Sequence, residues 1–202
     1  MAELIPEIAN RRAQRAFAST PVEQAKQELL WRSVLLAPSH GNTQPSRLVV
    51  TSNAAIRERV IEALNEGNRG WASAAPLFAA LAGMPGHDRP ARNRDGTTRE
   101  MWAFETGIAA GNLMAEATAL GLIAHPMSGF DEPAIRAAFQ APDEVRVLVV
   151  FAIGYPGDPS TLPLELQEKE SAPQWRIPVE NLVGIDRWAP EQSVSAREMR
   201  PR

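Results

Sequence analysis

From Thr98 to Leu120 the chain contains no proline and sets Met101, Phe104, Ile108, Leu113, Met114, Ala117 and Leu120 at helical spacing before Gly121 closes the run. Its middle carries the small residues Gly107, Ala109, Ala110 and Gly111, so it is apolar on more than one face. Such a helix must be covered on several sides. Two arrangements do this: the central core helix of a single subunit, or a helix packed into a two-fold interface between copies. The pattern alone leaves both open.

Around this helix the sequence alternates helical and extended signals. Ile5 to Arg11 reads as a short helix, and a longer one is predicted to open at Pro21 behind a Thr20 N-cap, with Leu29, Leu30, Val34 and Leu35 as its apolar stripe. Leu48 to Thr51 is strand-like, and Ile56, Val60, Ile61 and Leu64 mark a helix over 54–64. Pro76 to Ala82 reads as a buried strand, and 83–96, rich in Gly, Pro and charge, as a long loop. Asp131 is placed to cap a short helix over 134–140. Val145 to Ile153 is apolar almost throughout, as expected of a central strand buried on both faces. Residues 184–202, with Trp188 and many charges but no periodicity, read as an arm or flexible tail.

Several function classes fall away on composition. The net charge is −3, so no overall positive field recruits nucleic acid or an anionic membrane. With no cysteine, disulfides, thiolate nucleophiles and Cys-ligated metals are excluded. His40, His87 and His125 are scattered without metal-ligand spacing, so no metal site is expected. The longest apolar run, 147–153, is too short to span a bilayer, and residues 1–20 lack a signal-peptide core, so a cytoplasmic location is the expectation. No glycine-rich dinucleotide loop or P-loop is present.

Four segments stand out against this background. Arg11-Arg12-Ala13-Gln14-Arg15 places three guanidiniums within five residues, a pattern suited to bidentate contact with phosphate oxygens and equally to a solvated helix end. Pro38-Ser39-His40-Gly41-Asn42-Thr43-Gln44-Pro45 joins a helix to a strand. His125-Pro126-Met127-Ser128-Gly129 precedes the Asp131 cap, and Gln174-Trp175-Arg176 returns one more arginine late in the chain.

Taken in order and at this spacing, over about residues 3–183, these segments resemble the nitroreductase family of FMN-dependent oxidoreductases. The resemblance implies an α+β, three-layer α/β/α fold. Its central, mainly antiparallel sheet would be flanked by helices in an intertwined homodimer, with an FMN-binding domain over 1–183. It implies FMN as cofactor and NADPH or NADH as reductant, with hydride passing through flavin N5 to a small oxidised acceptor such as a nitroaromatic, quinone or conjugated carbonyl. The flavin would sit at the subunit interface, and no side chain would act as catalyst. Arg11, Arg12 and Arg176 would hold the FMN phosphate, with Ala13 beside them, and Arg15 would reach the N1–C2=O edge. Pro38, Ser39, His40 and Asn42 would approach the flavin of the other subunit, with His40 on its open side. Asn68 would read the pyrimidine edge. Pro126, Met127 and Ser128 would lie along the ring, with the Gly129 N–H aimed at N5. A flavin-binding or flavin-sequestering protein with little turnover is the alternative. Ala13, Ser46, Ser128 and Gln174 depart from the residues usual in the family.

Overall fold

The structure is a computed structural model that describes residues 3–51 and 53–200. Residues 1, 2 and 52 of the expected cofactor-binding domain, and 201 and 202 of the expected arm, lie outside the described residues. In chain order the elements are α1 (Pro6–Ala9), α2 (Gln24–Leu35), β1 (Ser46–Val50), α3 (Ala54–Ala63), α4 (Glu66–Ala72), β2 (Leu77–Gly83), β3 (Ala91–Arg92), β4 (Thr98–Arg99), α5 (Trp102–Ala119), β5 (Ile123–Met127), α6 (Glu132–Phe139), β6 (Arg146–Gly154), α7 (Leu164–Ser171), α8 (Val179–Leu182) and α9 (Ala196–Met199).

Antiparallel pairing orders the main sheet β1-β2-β6-β5, which puts the two most apolar strands side by side at its centre. Alternation then sorts their side chains to two faces. Leu77, Ala79 and Leu81 of β2 join Phe151 and Ile153 of β6 beneath α2 and α5, which contribute Leu30, Val34, Ala109, Leu113 and Ala117. Phe78, Ala80 and Ala82 join Val150 and Ala152 on the opposite face, covered by α3, α4 and α6 through Val60, Ile61, Trp71 and Ile135. The register slips between Leu81 and Ala82, and that bulge returns Val147 to the second face. The three-layer α+β fold expected from the sequence is therefore the one formed.

Several boundaries differ from the sequence reading. Helix α2 starts at Gln24, not Pro21, because Val22 is buried in the core and the chain runs extended through Glu23 (φ −62°, ψ 142°) to put it there. The long helix begins at Trp102, not Thr98, because Thr98–Arg99 pairs with Ala91–Arg92 of the expected loop as a small hairpin. Residues 184–200 fold into short turns, with Ser195 and Glu198 forming a capping box on α9. No helix of the described residues is long and apolar enough to cross a membrane.

Helix α5 resolves into two faces. Glu105, Thr106, Ala109, Leu113 and Ala117 are buried against the sheet, whereas Phe104 is 63 % exposed and a Cβ added at Gly107 or Gly111 would meet nothing within 4 Å.

Candidate functional site

The arginine segment is held by the end of the central strand. Gly157 N–H donates to the Ala16 carbonyl (2.9 Å), Ala18 N–H to that of Tyr155 (2.9 Å), and Phe17 bridges to Pro156. The approach is close enough that a Cβ on Gly157 would lie 2.5 Å from the Phe17 carbonyl carbon. Arg11, Arg12 and Ala13 consequently line a cavity of about 630 Å3, whose other wall is Glu170, Gln174 and Arg176. Arginines from opposite ends of the chain meet there, as the sequence implied.

This cavity is short of negative charge. Arg12 donates to the Ala9 and Arg11 carbonyls and Arg176 to the Trp175 carbonyl, but none of Arg11, Arg12 and Arg176 forms an ion pair among the described residues. Burial, and then the neighbouring charges of Arg176 and Arg12, push the Arg11 pKa down from its usual value. The one carboxylate on its wall, Glu170, is paired with Arg15, so Arg11, Arg12 and Arg176 are left to attract an anion.

Arg15 behaves differently. Its guanidinium pairs with Glu170 (Nη1 to Oε1, 3.0 Å), its backbone N–H donates to the same oxygen (3.1 Å), and it lies over the Trp71 ring at 5.9 Å. The sequence implied an arginine extended toward a ligand edge, whereas this one is pinned by a carboxylate that is itself 4 % exposed. Trp71 also packs on His125, with ring centroids 4.4 Å apart, and His125 Nδ1 hydrogen-bonds the Gln14 carbonyl at 2.9 Å. Burial pushes the His125 pKa down to about 4, so its ring is neutral at pH 7 and Nδ1 carries the proton donated to Gln14.

Two residues beyond His125 in β5, the chain turns through Ser128 and Gly129. The Gly129 carbonyl accepts from Asn65 N–H (3.0 Å) and Asn68 Nδ2 (3.1 Å), while its own N–H donates no hydrogen bond among the described residues. A Cβ at Gly129 would meet Asn68 Nδ2 at 2.9 Å, so glycine is what lets α4 approach this turn. Pro126 continues β5, Met127 points into the core, and Ser128 is exposed. The structure thus gathers Arg11, Arg12, Ala13, Arg15, Asn68, Pro126–Gly129 and Arg176 around one side of the sheet.

The Pro38–Pro45 loop is not part of that gathering. Among the described residues no hydrogen bond joins it to the arginine segment. It packs instead against the start of α5, where Glu105, 2 % exposed, accepts the His40 N–H at 2.6 Å. Gly41, Asn42 and Gln44 all have positive φ (62°, 57° and 48°), and Ser39 Oγ accepts the Gln44 N–H at 2.9 Å. His40 Nδ1 lies 2.7 Å from the Arg89 carbonyl, which orients the ring toward the β3–β4 hairpin.

The sequence model of the Nitroreductase family matches residues 8–70 and 64–155. The chain belongs to the nitroreductase family. A Streptomyces coelicolor relative with the provisional name NADH dehydrogenase/NAD(P)H nitroreductase is 34 % identical over 167 residues, covering 75 % of this chain and 82 % of the relative. A Xanthomonas oryzae relative of the same name is 34 % identical over 168 residues, covering 75 % and 83 %. Among solved structures, one described as an oxidoreductase containing FMN superposes with a TM-score of 0.81 at 27 % identity, covering 93 % of this chain and 94 % of the other. A nitroreductase family protein from Clostridium difficile shares the fold (TM-score 0.72, 24 % identity, 92 % and 100 % covered).

The sequence reading assigned no site role to four residues of this chain's candidate site. Glu170, Trp71 and His125 hold Arg15 and Gln14 in place, and Glu105 holds His40. Sequence offers little signal for contacts such as Arg15–Glu170, which spans 155 positions. A further cavity of about 650 Å3, between Pro21 and Arg57, holds no comparable charge, because Arg57 is already bonded to the Ser73 and Ala75 carbonyls.

Proposed function

We propose that this chain is an FMN-dependent oxidoreductase that takes reducing equivalents from NADPH or NADH and passes them to a small oxidised acceptor: a nitroaromatic, quinone or conjugated carbonyl. The observation that carries the reading is the uncompensated trio Arg11, Arg12 and Arg176, whose charge and fork geometry suit a phosphate dianion. FMN, when bound, supplies the hydride chemistry.

The protein's own part is to bind and orient. Arg11, Arg12 and Arg176 grip the phosphate at the cavity beside Ala13. Arg15, paired with Glu170 and held against Trp71, supplies a fixed guanidinium donor for the cofactor's N1–C2=O edge. Asn68 and the turn from Pro126 through Met127 and Ser128 line the ring, and the free Gly129 N–H supplies one donor whose position the backbone fixes. Residues 1–183 form the cofactor-binding unit and 184–202 an arm.

We further propose that the active species is a homodimer. The exposed face of α5, with Phe104, Gly107 and Gly111, offers the close-packing surface, and the Pro38, Ser39, His40 and Asn42 loop, which lines no part of its own arginine cavity, serves the site of the partner subunit. The first test is the visible spectrum of FMN-supplemented, desalted protein, followed anaerobically with NADPH or NADH. Retained flavin that bleaches supports the enzyme, retained flavin that stays yellow supports a flavin-sequestering protein, and no retained flavin refutes the cofactor.

A further inference from the structure

The segment between β2 and α5 carries four arginines, Arg89, Arg92, Arg94 and Arg99, on and around the β3–β4 hairpin. All four are exposed, and none makes a side-chain hydrogen bond or ion pair among the described residues. Three carboxylates are interleaved with them, yet each is engaged elsewhere. Asp88 accepts the Met101 N–H (3.0 Å), Asp95 accepts both the N–H and hydroxyl of Thr97 (3.0 and 2.7 Å), and Glu100 accepts the Trp102 indole N–H (3.3 Å). The acids bond neutral donors and pair with none of the four guanidiniums, and the 88–100 segment keeps one positive charge in excess.

The hairpin is anchored on the loop proposed to face the open side of the flavin. The Arg89 carbonyl holds His40, and the Arg89 side chain lies across Gly41, where an added Cβ would come within 2.6 Å of Nη1. Only glycine, at its φ of 62°, accommodates that crossing. Arg92 follows Arg89 by three residues, a span of on the order of 10 Å at strand rise, and Arg94 lies in the exposed turn beyond it.

Resting on the proposed function, we propose that this hairpin is the binding arm for the hydride donor, gripping the phosphates of NAD(P)H outside the flavin slot. The donor's reacting ring is small and must lie flat in an apolar slot, whereas its pyrophosphate stays in water and recruits guanidiniums. Arg89 touches the His40–Gly41 loop and Arg92 and Arg94 follow it in the exposed hairpin, an order that suits a ligand whose anionic part trails away from that loop. Exposure makes the attraction sensitive to ionic strength.

The test compares NADPH and NADH with 1-benzyl-1,4-dihydronicotinamide, a hydride donor without phosphate, on FMN-loaded wild type and on Arg89→Gln, Arg92→Gln/Arg94→Gln and the triple variant. The expected result is that the ratio of kcat/KM for NADPH over the phosphate-free donor falls about tenfold for each guanidinium removed, Arg→Lys restores part of it, and added salt lowers it most in wild type and least in the triple variant. An unchanged ratio in the triple variant overturns the proposal. So does a change confined to 4-nitrobenzoate relative to nitrobenzene as acceptor, which would mean that the arm grips an anionic acceptor. Calorimetric titration of NADP+ into protein with and without FMN separates the two layers of inference. If no flavin is retained the cofactor reading fails, yet NADP+ binding lost in the triple variant still supports the arm, and absence of NADP+ binding to wild type overturns it.

Discussion

Glu170 ties stability and cofactor affinity together with opposite signs. Its Oε1 accepts two bonds, one from the Arg15 N–H and one charge-assisted bond from the guanidinium, in a nearly closed environment. Glu170→Ala orphans the amide, at about 1 kcal/mol, and removes the charged bond, at about 2 kcal/mol for a guanidinium that keeps some access to water. The expected total of about 3 kcal/mol lowers the melting temperature of a chain this size by about 6–12 °C. Glu170→Gln retains the Oε1 acceptor and loses only the charge, so it costs about 1 kcal/mol. Both substitutions remove a negative charge from the wall of a cavity lined by Arg11, Arg12 and Arg176, and both should tighten FMN. Thermal denaturation of the protein without flavin, beside an FMN fluorescence titration, reads the two effects separately. An unchanged melting temperature for Glu170→Ala, or weaker FMN binding by Glu170→Gln, would refute this account of the carboxylate.

The stability should also depend on pH through His125, whose pKa is pushed by burial from 6.5 down to about 4. The unfolded chain takes up this proton at higher pH than the folded one, so the contribution is full above pH 6.5 and is lost as pH falls toward 4; between pH 7 and 5 it amounts to about 2 kcal/mol, which His125→Phe should abolish in urea titrations. Asp131→Ala removes the acceptor for Ala134 N–H (3.0 Å) and should cost about 1 kcal/mol in the same assay. Gly111→Arg places a charge on the open face of α5 and should yield monomers with wild-type far-UV circular dichroism by light scattering; dimers that persist would move the interface elsewhere.

What the sequence revealed follows from where burial is continuous. Strands β2 and β6 and the cap on α6 were legible because apolar runs and an Asp at a helix start report directly on local structure. Helix α4 was missed because Gly67 and Gly70 interrupt its periodicity, and β5 because His125 and Pro126 disguise an edge strand. Each is held by tertiary contacts, α4 through Trp71 in the core and β5 through pairing with β6. Arg11 and Arg12 were legible as neighbours in sequence, whereas Arg176 was reached only through the family resemblance. Partners distant in sequence were not legible: Arg15 meets Glu170, and His40 meets Glu105, only after the sheet has closed.

That the Pro38–Pro45 loop lines no part of the arginine cavity of its own chain carries a genetic consequence. If each site draws its phosphate grip from one subunit and its loop from the other, a chain damaged at Arg12 and a chain damaged at Asn42 are both inactive alone, but a mixed dimer contains one site in which both halves are intact. Co-expressing the two damaged chains should therefore recover a fraction of the lost activity, and a single chain carrying both lesions should recover none when paired with itself.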